Sequence, residues 1–259
     1  MQRLAGGASA EVLALDAHRV LKLFRHGMPR AVAQREAAHA RWAHAQGLPA
    51  PKPLEIVQQE TRTGIVFERC DGPTLFEALR SGARAPAELA TLFFELQQQI
   101  HRAPWESLLP VQPALARSIT AAPGVSDDLK TRALAIAQAR CERSVPCHGD
   151  FHPQNVILWR STAVVVDWMD LGWGDPALDV TRTLLFLLYA RSQTVSADAR
   201  DAFVQTYRQH CLQTWDGRAH ELARWVLPIA VARLARPGLE APERAALTRV
   251  AQGEVAPWD

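Results

Sequence analysis

The stretch CHGDFHPQNVIL, from Cys147 to Leu158, sets a carboxylate and an amide five residues apart, Asp150 and Asn155. Gly149 and Pro153 argue against a helix here, so both side chains belong to a short stiff loop that runs into an apolar segment. A carboxylate held in place can accept a proton from an alcohol. An amide oxygen nearby can ligate a hard cation such as magnesium, which prefers oxygen. An Asx-rich turn, with both side chains merely capping backbone groups, uses the same residue types.

The following strand, AVVVDW, ends in Asp167, twelve residues after Asn155. A hairpin of that length returns Asp167 to the side of Asn155. An ionised carboxylate at the end of a buried β-branched strand is costly without a partner. A divalent cation shared by Asn155 and Asp167 supplies one.

The elements that must position these groups divide the chain in two. EVLALD and RVLKLFR read as strands with a turn at Asp16–His18. Pro29 suits the first turn of a helix, PRAVAQREAAHARWAHAQ, that stops at Gly47. LPAPKPLEIV reads as an extended connector into a strand, and TGIVFERC as a further strand. Past Asp71-Gly72-Pro73 the pattern turns helical. APAELATLFFELQQQIHRAP places Leu89, Leu92, Phe93, Leu96 and Ile100 on one face. A Pro- and Ala-rich loop is expected from Pro104 to about Gly124, then a helix capped by Ser126, then the loop–strand–turn–strand unit. Four helices are expected after it: Asp179–Arg191, Ala197–Thr214, His220–Ala235 and Pro242–Gly253. A boundary near Cys70 to Gly72 thus separates a small mixed lobe, 1–70, from a larger mainly helical one, 71–259.

Bulk composition excludes several classes. The 259 residues carry a net charge of only +2, with no basic tail or acidic block, so nucleic acid and anionic membrane are not indicated as partners. Cys70, Cys141, Cys147 and Cys211 are scattered with no CxxC pair, which argues against a zinc site and a disulfide framework. No signal-peptide core opens the sequence, and the longest apolar run, from Leu184, is far short of the ~20 residues of a membrane span. A soluble, cytoplasmic protein is expected.

HGDFHPQN followed by VVVDWMDLGWGDPALDV resembles the signature of the aminoglycoside phosphotransferase and choline kinase-like family, the small-molecule branch of the protein-kinase-like fold. The resemblance extends over most of the chain to about Arg191. It implies a bilobal α+β fold with a β-rich first lobe. By the same resemblance Asp150 is the catalytic base and Asn155 and Asp167 hold magnesium. Asp175 and Asp179 anchor the next helix, and His148 and His152 orient the loop. Asp170 is an extra carboxylate of open role.

That resemblance makes demands on the first lobe. A phosphate-facing lysine is met by Lys22 in VLKLF, one of only three lysines with Lys52 and Lys130. A strand places Lys22 opposite Leu21 and Leu23, although an edge-strand lysine facing solvent is a common alternative. Its acidic partner is Glu36, the single acid of the first helix. GGASAEV supplies Gly6, Gly7, Ala8 and Ser9 as a phosphate-side loop after a very short strand, without the G-x-G-x-x-G of protein kinases. Gly7 backbone and the Ser9 hydroxyl are the expected contacts. IVFERCDGPTL resembles the family's hinge, with backbone groups of Glu68 and Cys70 on the adenine edge and Phe67 behind it.

The implied activity is transfer of the γ-phosphoryl group of ATP, with Mg2+, to a hydroxyl of a small molecule; GTP is not excluded. The acceptor is aminoglycoside-, choline- or sugar-like. From Thr181 onward arginines slightly outnumber acids, which does not favour a polycation. Trp173, Trp215, Trp225 and Tyr189 are either a cation–π pocket for a choline-like head group or core anchors. A catalytically idle kinase-like binding module and a protein kinase are the alternatives. HGD in place of HRD, and the lack of a long segment running from Asp167 to a nearby A-P-E-like end, weigh against the second.

Overall fold

The computed structural model of the protein describes residues 1–7, 9–190 and 195–258; Ala8 and Arg191, both named above, lie outside the described residues. The architecture is α+β, an antiparallel sheet at the N-terminal end followed mainly by helices. The chain forms two compact units. One comprises Met1–Phe76 with Pro153–Asp170, the other Glu77–His152 with Leu171–Asp259. This differs from a linear boundary at residues 70–72, because a later segment returns to the first unit.

The first unit opens with strands β1 (Gln2–Gly6), β2 (Ala10–Ala14) and β3 (Arg19–Phe24), then helix α1 (Arg30–Ala45), then β4 (Pro53–Gln59) and β5 (Arg62–Glu68). They form one five-stranded sheet in the order β1-β2-β3-β5-β4. β1 is as long as β2 and pairs with it, contrary to the very short strand expected. Every residue of β1 is exposed, so it carries no alternation of buried and exposed positions to read. Leu21, Leu23 and Val66 pack together on one side of the sheet, with Leu13 and Val57 against them.

Helix α1 buries Ala33, Ala37, Ala40 and Ala43, whose small side chains permit close packing, and with them Glu36. It stops where expected. Gly47 takes φ 72°, its N–H donates to the His44 carbonyl, and the Leu48 N–H donates to the Ala43 carbonyl. That double bond pattern around a left-handed glycine closes the orphan carbonyls of a helix end.

Helix α2 (Leu75–Ser81) leads into the second unit, followed by α3 (Pro86–His101), α4 (Gln112–Ala121), α5 (Asp127–Ala137) and strand β6 (Val145–Cys147). Helix α4 lies within the segment expected to be loop. Its proline sits in the first turn, where no N–H is needed, and Leu115 and Ile119 are buried one turn apart. In α3 the expected Leu89, Phe93, Leu96 and Ile100 are buried, and so are Gln97 and His101. Ser126 caps α5 as expected, accepting from the Leu129 N–H.

The chain then returns to the first unit as a hairpin, β7 (Val156–Trp159) and β8 (Thr162–Val165). The Val165 N–H donates to the Pro49 carbonyl and the Leu158 N–H to the Pro73 carbonyl. Gly72 permits this second approach, since a Cβ there would lie 1.8 Å from the Leu158 carbonyl oxygen.

Strand β9 (Gly172–Gly174) pairs with β6, and α6 (Pro176–Tyr189), α7 (Ala197–Thr214), α8 (Ala219–Arg224), α9 (Val226–Leu234) and α10 (Ala241–Ala251) complete the second unit. The single helix expected over His220–Ala235 is two, broken at Trp225, which caps the end of one and the start of the other. Trp215 and Trp225 are 2% and 1% exposed, which makes them core anchors and removes them from any open aromatic pocket. Trp173 is half-buried against Trp105. Among the described residues no helix is long and apolar enough to cross a membrane. All four cysteines are free thiols.

Candidate active site

In the first unit, antiparallel pairing sets Lys22 between Val12 of β2 and Ile65 of β5, in the middle of the sheet. Its ammonium does not face open solvent, because its side chain is only 12% exposed. Lys22 Nζ lies 2.6 Å from Glu36 Oε1 and 3.0 Å from Asp167 Oδ1. Burial acts to lower the Lys22 pKa, but the two carboxylates outweigh it and raise it. Burial also lifts Glu36 to about 7, against the pull of Lys22, with Asp167 and Asp170 adding to the rise. The trio therefore holds one firm cation beside two carboxylates in a partly dry setting.

Asp167 reaches this position by way of the hairpin. Val156 pairs with Val165, and the Val166 N–H donates to the Asn155 carbonyl at 2.9 Å. The backbone of Asn155 thus lies across from the residue preceding Asp167, as a hairpin of that length requires. Asp167 itself has φ 64°, a left-handed conformation that aspartate tolerates better than most residues. A 3-10 turn, Trp168–Asp170, follows at once, and His39 Nδ1 of α1 lies 3.0 Å from the Trp168 carbonyl oxygen. Glu36 and His39 are three apart on α1, so one helix face serves both the lysine and the turn behind Asp167. Asn155 closes its own 3-10 turn, Pro153–Asn155, and is 8% exposed. Asp170 is exposed.

The rest of the first unit's candidate residues are less committed to one point. The Gly7 N–H donates to the Ala10 carbonyl, and its own carbonyl accepts from Arg25, so Gly7 offers little free backbone. Ser9 accepts the Arg25 N–H with its carbonyl. The Glu68 N–H donates to the Lys52 carbonyl at 2.9 Å, closing the end of β5. Burial pushes the Cys70 thiol up to about 11, with Glu68 and Asp71 adding to it, so Cys70 is a neutral thiol at physiological pH and no nucleophile.

In the second unit, Asp150 sits on a loop whose backbone is gripped by α6. The Gly149 N–H donates to Asp179 Oδ1 at 3.1 Å, Arg182 Nη1 donates to the Gly149 carbonyl at 2.6 Å, and Thr183 Oγ1 donates to the Phe151 carbonyl at 3.0 Å. Asp179 is 1% exposed and also accepts from Gln97 Nε2, with His101 Nε2 3.0 Å away. Burial acts to raise the Asp179 pKa, but the bonds from His101, Gln97 and Gly149 bring it down to about 2. The network runs on to Tyr207, whose hydroxyl donates to Gln97 Oε1. Asp175 caps α6 by accepting the Ala177 N–H.

Asp150 has a side chain 21% exposed, and its carboxylate faces Arg236 at 3.4 Å on both oxygens and His152 Nε2 at 3.6 Å. Burial acts to raise its pKa; His152 and Arg236 outweigh it and hold the carboxyl well below its usual range. His152 is stacked on Phe186, ring centroids 4.3 Å apart. Sequence reasoning named Asp150 and its histidines and missed Arg236, Arg182, Thr183 and Gln97. Of these, only Gln97 left a signal, as a polar residue one turn after Phe93 on the apolar face of α3.

The N-terminal antiparallel sheet and the mainly helical remainder are the α+β architecture of the protein-kinase-like phosphotransferases. Residues 1–221 match the family model described as "APH: Phosphotransferase enzyme family", and the chain belongs to that family of small-molecule phosphotransferases. No curated protein sequence matches it significantly. Among solved structures it is similar to an aminoglycoside-3'-phosphotransferase of type VIII, at 20% identity and TM-score 0.63, over 90% of this chain and 92% of that one. It is also similar to the amicoumacin kinase hAmiN in complex with AMP-PNP, Ca2+ and Ami, at 16% identity and TM-score 0.57, over 97% and 87% of the two chains. A choline/ethanolamine kinase family protein from Mesorhizobium loti aligns at 16% identity and TM-score 0.57, over 97% and 85%.

Proposed function

We propose that the protein moves the γ-phosphoryl group of ATP to a hydroxyl of a small molecule. The observation that carries this reading is the buried Lys22 ammonium held between Glu36 and Asp167. Lys22, fixed by Glu36, neutralises phosphate charge. The donor set fits a hard cation, since Asp167 and the Asn155 amide both offer oxygen, and magnesium commonly takes one or two carboxylates with phosphate oxygens completing its shell. Asp167 and Asn155 would hold magnesium there, and it would supply charge neutralisation on the phosphates. The amicoumacin kinase in complex with AMP-PNP and Ca2+ supports a nucleotide with a divalent cation.

Asp150 positions the acceptor hydroxyl and takes its proton late. The bond from the γ-phosphorus to the bridging oxygen breaks, a bond from phosphorus to the acceptor oxygen forms, and ADP leaves. The low pKa of Asp150 suits orientation better than early proton abstraction, in keeping with a transfer that asks mostly for positioning and electrostatics. The Glu68 carbonyl and the Cys70 N–H are the backbone groups assigned to the adenine edge, the Glu68 N–H being spent on Lys52. Gly7 donates its N–H to the Ala10 carbonyl, which leaves the Ser9 hydroxyl as the phosphate-side group of that loop.

The test is incubation of the purified protein with γ-labelled ATP, magnesium and a panel of alcohols. Label on a small molecule supports the reading. Label on protein marks a protein kinase, and no label with intact ATP binding marks an idle module. Repeating the assay with GTP decides the nucleotide.

A further inference from the structure

Asp150 does not stand in acidic surroundings. Within the second unit, Arg236 faces both its oxygens, His152 lies beside it, and Arg182 holds the carbonyl of the preceding residue. Arg233 lies over the ring of Phe186, on which His152 is stacked, but it is committed to Glu243. Arg236 is different. Its side chain is 50% exposed, and its contacts to Asp150 are 3.4 Å, longer than the roughly 2.7–2.9 Å of a firm charge-assisted bond. It follows α9 directly, its N–H donating to the Arg233 carbonyl, so its backbone is fixed while its guanidinium is slack. It also lies beyond residues 1–221, the extent of the family match.

We propose that Arg236 is the specificity-determining residue of the acceptor site and that it takes an anionic group, carboxylate or phosphate, carried by the alcohol to be phosphorylated. This rests on the phosphotransferase reading above. A planar guanidinium with two parallel N–H groups matches either oxyanion and is paired only loosely with the carboxylate that the incoming hydroxyl needs. An anionic acceptor draws Arg236 toward itself and frees Asp150 for the hydroxyl. A polycationic amino sugar gains nothing from Arg236 and is repelled by it, and in this patch Glu243 is already taken by Arg233.

The experiment compares initial rates with ATP and magnesium on three groups of alcohols: hydroxycarboxylates and sugar phosphates, neutral polyols, and aminoglycosides. The wild type, Arg236→Ala, Arg236→Lys and Arg236→Glu are run in parallel, with the KM for ATP and thermal unfolding recorded for each. The expected result is transfer to one of the two anionic kinds, the arm that responds identifying it as carboxylate or phosphate. Its KM rises about 10- to 100-fold in Arg236→Ala, is partly restored in Arg236→Lys, and KM for ATP is unchanged. Arg236→Glu shifts preference toward cationic acceptors. Better turnover of aminoglycosides or neutral polyols by the wild type, or an unaltered anionic KM in Arg236→Ala, overturns the inference and leaves the phosphotransferase reading standing. ATP-dependent transfer to no acceptor of any charge removes both.

Discussion

Lys22 Nζ and Asp167 Oδ1 are 3.0 Å apart although 145 residues separate them in sequence. The same ammonium holds Glu36, so one strand, one helix and the end of one hairpin converge on a single charge. Its removal leaves two carboxylates facing each other. Glu36, already raised to about 7, then takes up a proton, so the fold is expected to survive while the proposed phosphate contact is lost. Lys22→Ala is expected to cut kcat/KM for ATP by about 10²-fold or more while circular dichroism is unchanged. Wild-type nucleotide kinetics in that variant would remove Lys22 from the site.

Asp150→Ala tests a different step. Turnover is expected to fall about 10²- to 10⁴-fold, as when a positioned base is lost. ATP affinity, read by calorimetry, should be unaltered, because the groups proposed for the phosphate side are Lys22, Asn155 and Asp167. Equal losses in turnover and in ATP affinity would show that Asp150 acts through the nucleotide.

Asp167→Asn keeps the shape of the hairpin end and removes a charge from the proposed magnesium site. The magnesium concentration for half-maximal activity is expected to rise at least about 10-fold, the lower range of what even supporting groups of metal sites contribute. Asn155→Ala should move it in the same direction. An unchanged magnesium titration in both would dismiss the pair as metal ligands.

Asp179 makes a prediction about acid stability. Its folded pKa is about 2 against an ordinary 3.8. A lowered pKa means the unfolded chain binds the proton more readily, so the stabilisation is whole above about pH 4 and is lost as pH falls toward 2. The amount is on the order of 2 kcal/mol for this fully buried group. Thermal unfolding of Asp179→Asn should begin lower at neutral pH and lose less than the wild type between pH 4 and 2. Parallel acid limbs would exclude Asp179 as the source.

Much of this was legible in the sequence, and the reasons differ by residue. Lys22 could be found because apolar neighbours of alternating burial declare a strand and lysines are rare. Glu36 followed because α1 has no other acid, and Asp167 because its distance from Asn155 fits a hairpin. Helix α4 is hidden in the sequence because a Pro- and Ala-rich stretch has the composition of a loop, although a proline in a first turn is tolerated. Trp215 and Trp225 could not be assigned to pocket or core, since an aromatic at helical spacing serves either until its burial is known. Arg236 carried no pattern at all. Its place beside Asp150 depends on how α9 ends relative to a loop 86 residues earlier, a relation that periodicity does not encode.

The return of Pro153–Asp170 to the first unit bears on how the chain acquires its shape during synthesis. The leading five strands and α1 leave the ribosome early, yet the hairpin that completes their unit follows only after the whole of α2 to α5. Until residue 170 has emerged, Lys22 and Glu36 lack Asp167, and the Pro49 and Pro73 carbonyls await the strands that bond to them. The N-terminal portion should therefore mature late and slowly for its size, as long-range closures do, and a nascent chain halted near residue 150 would stay open to proteolysis.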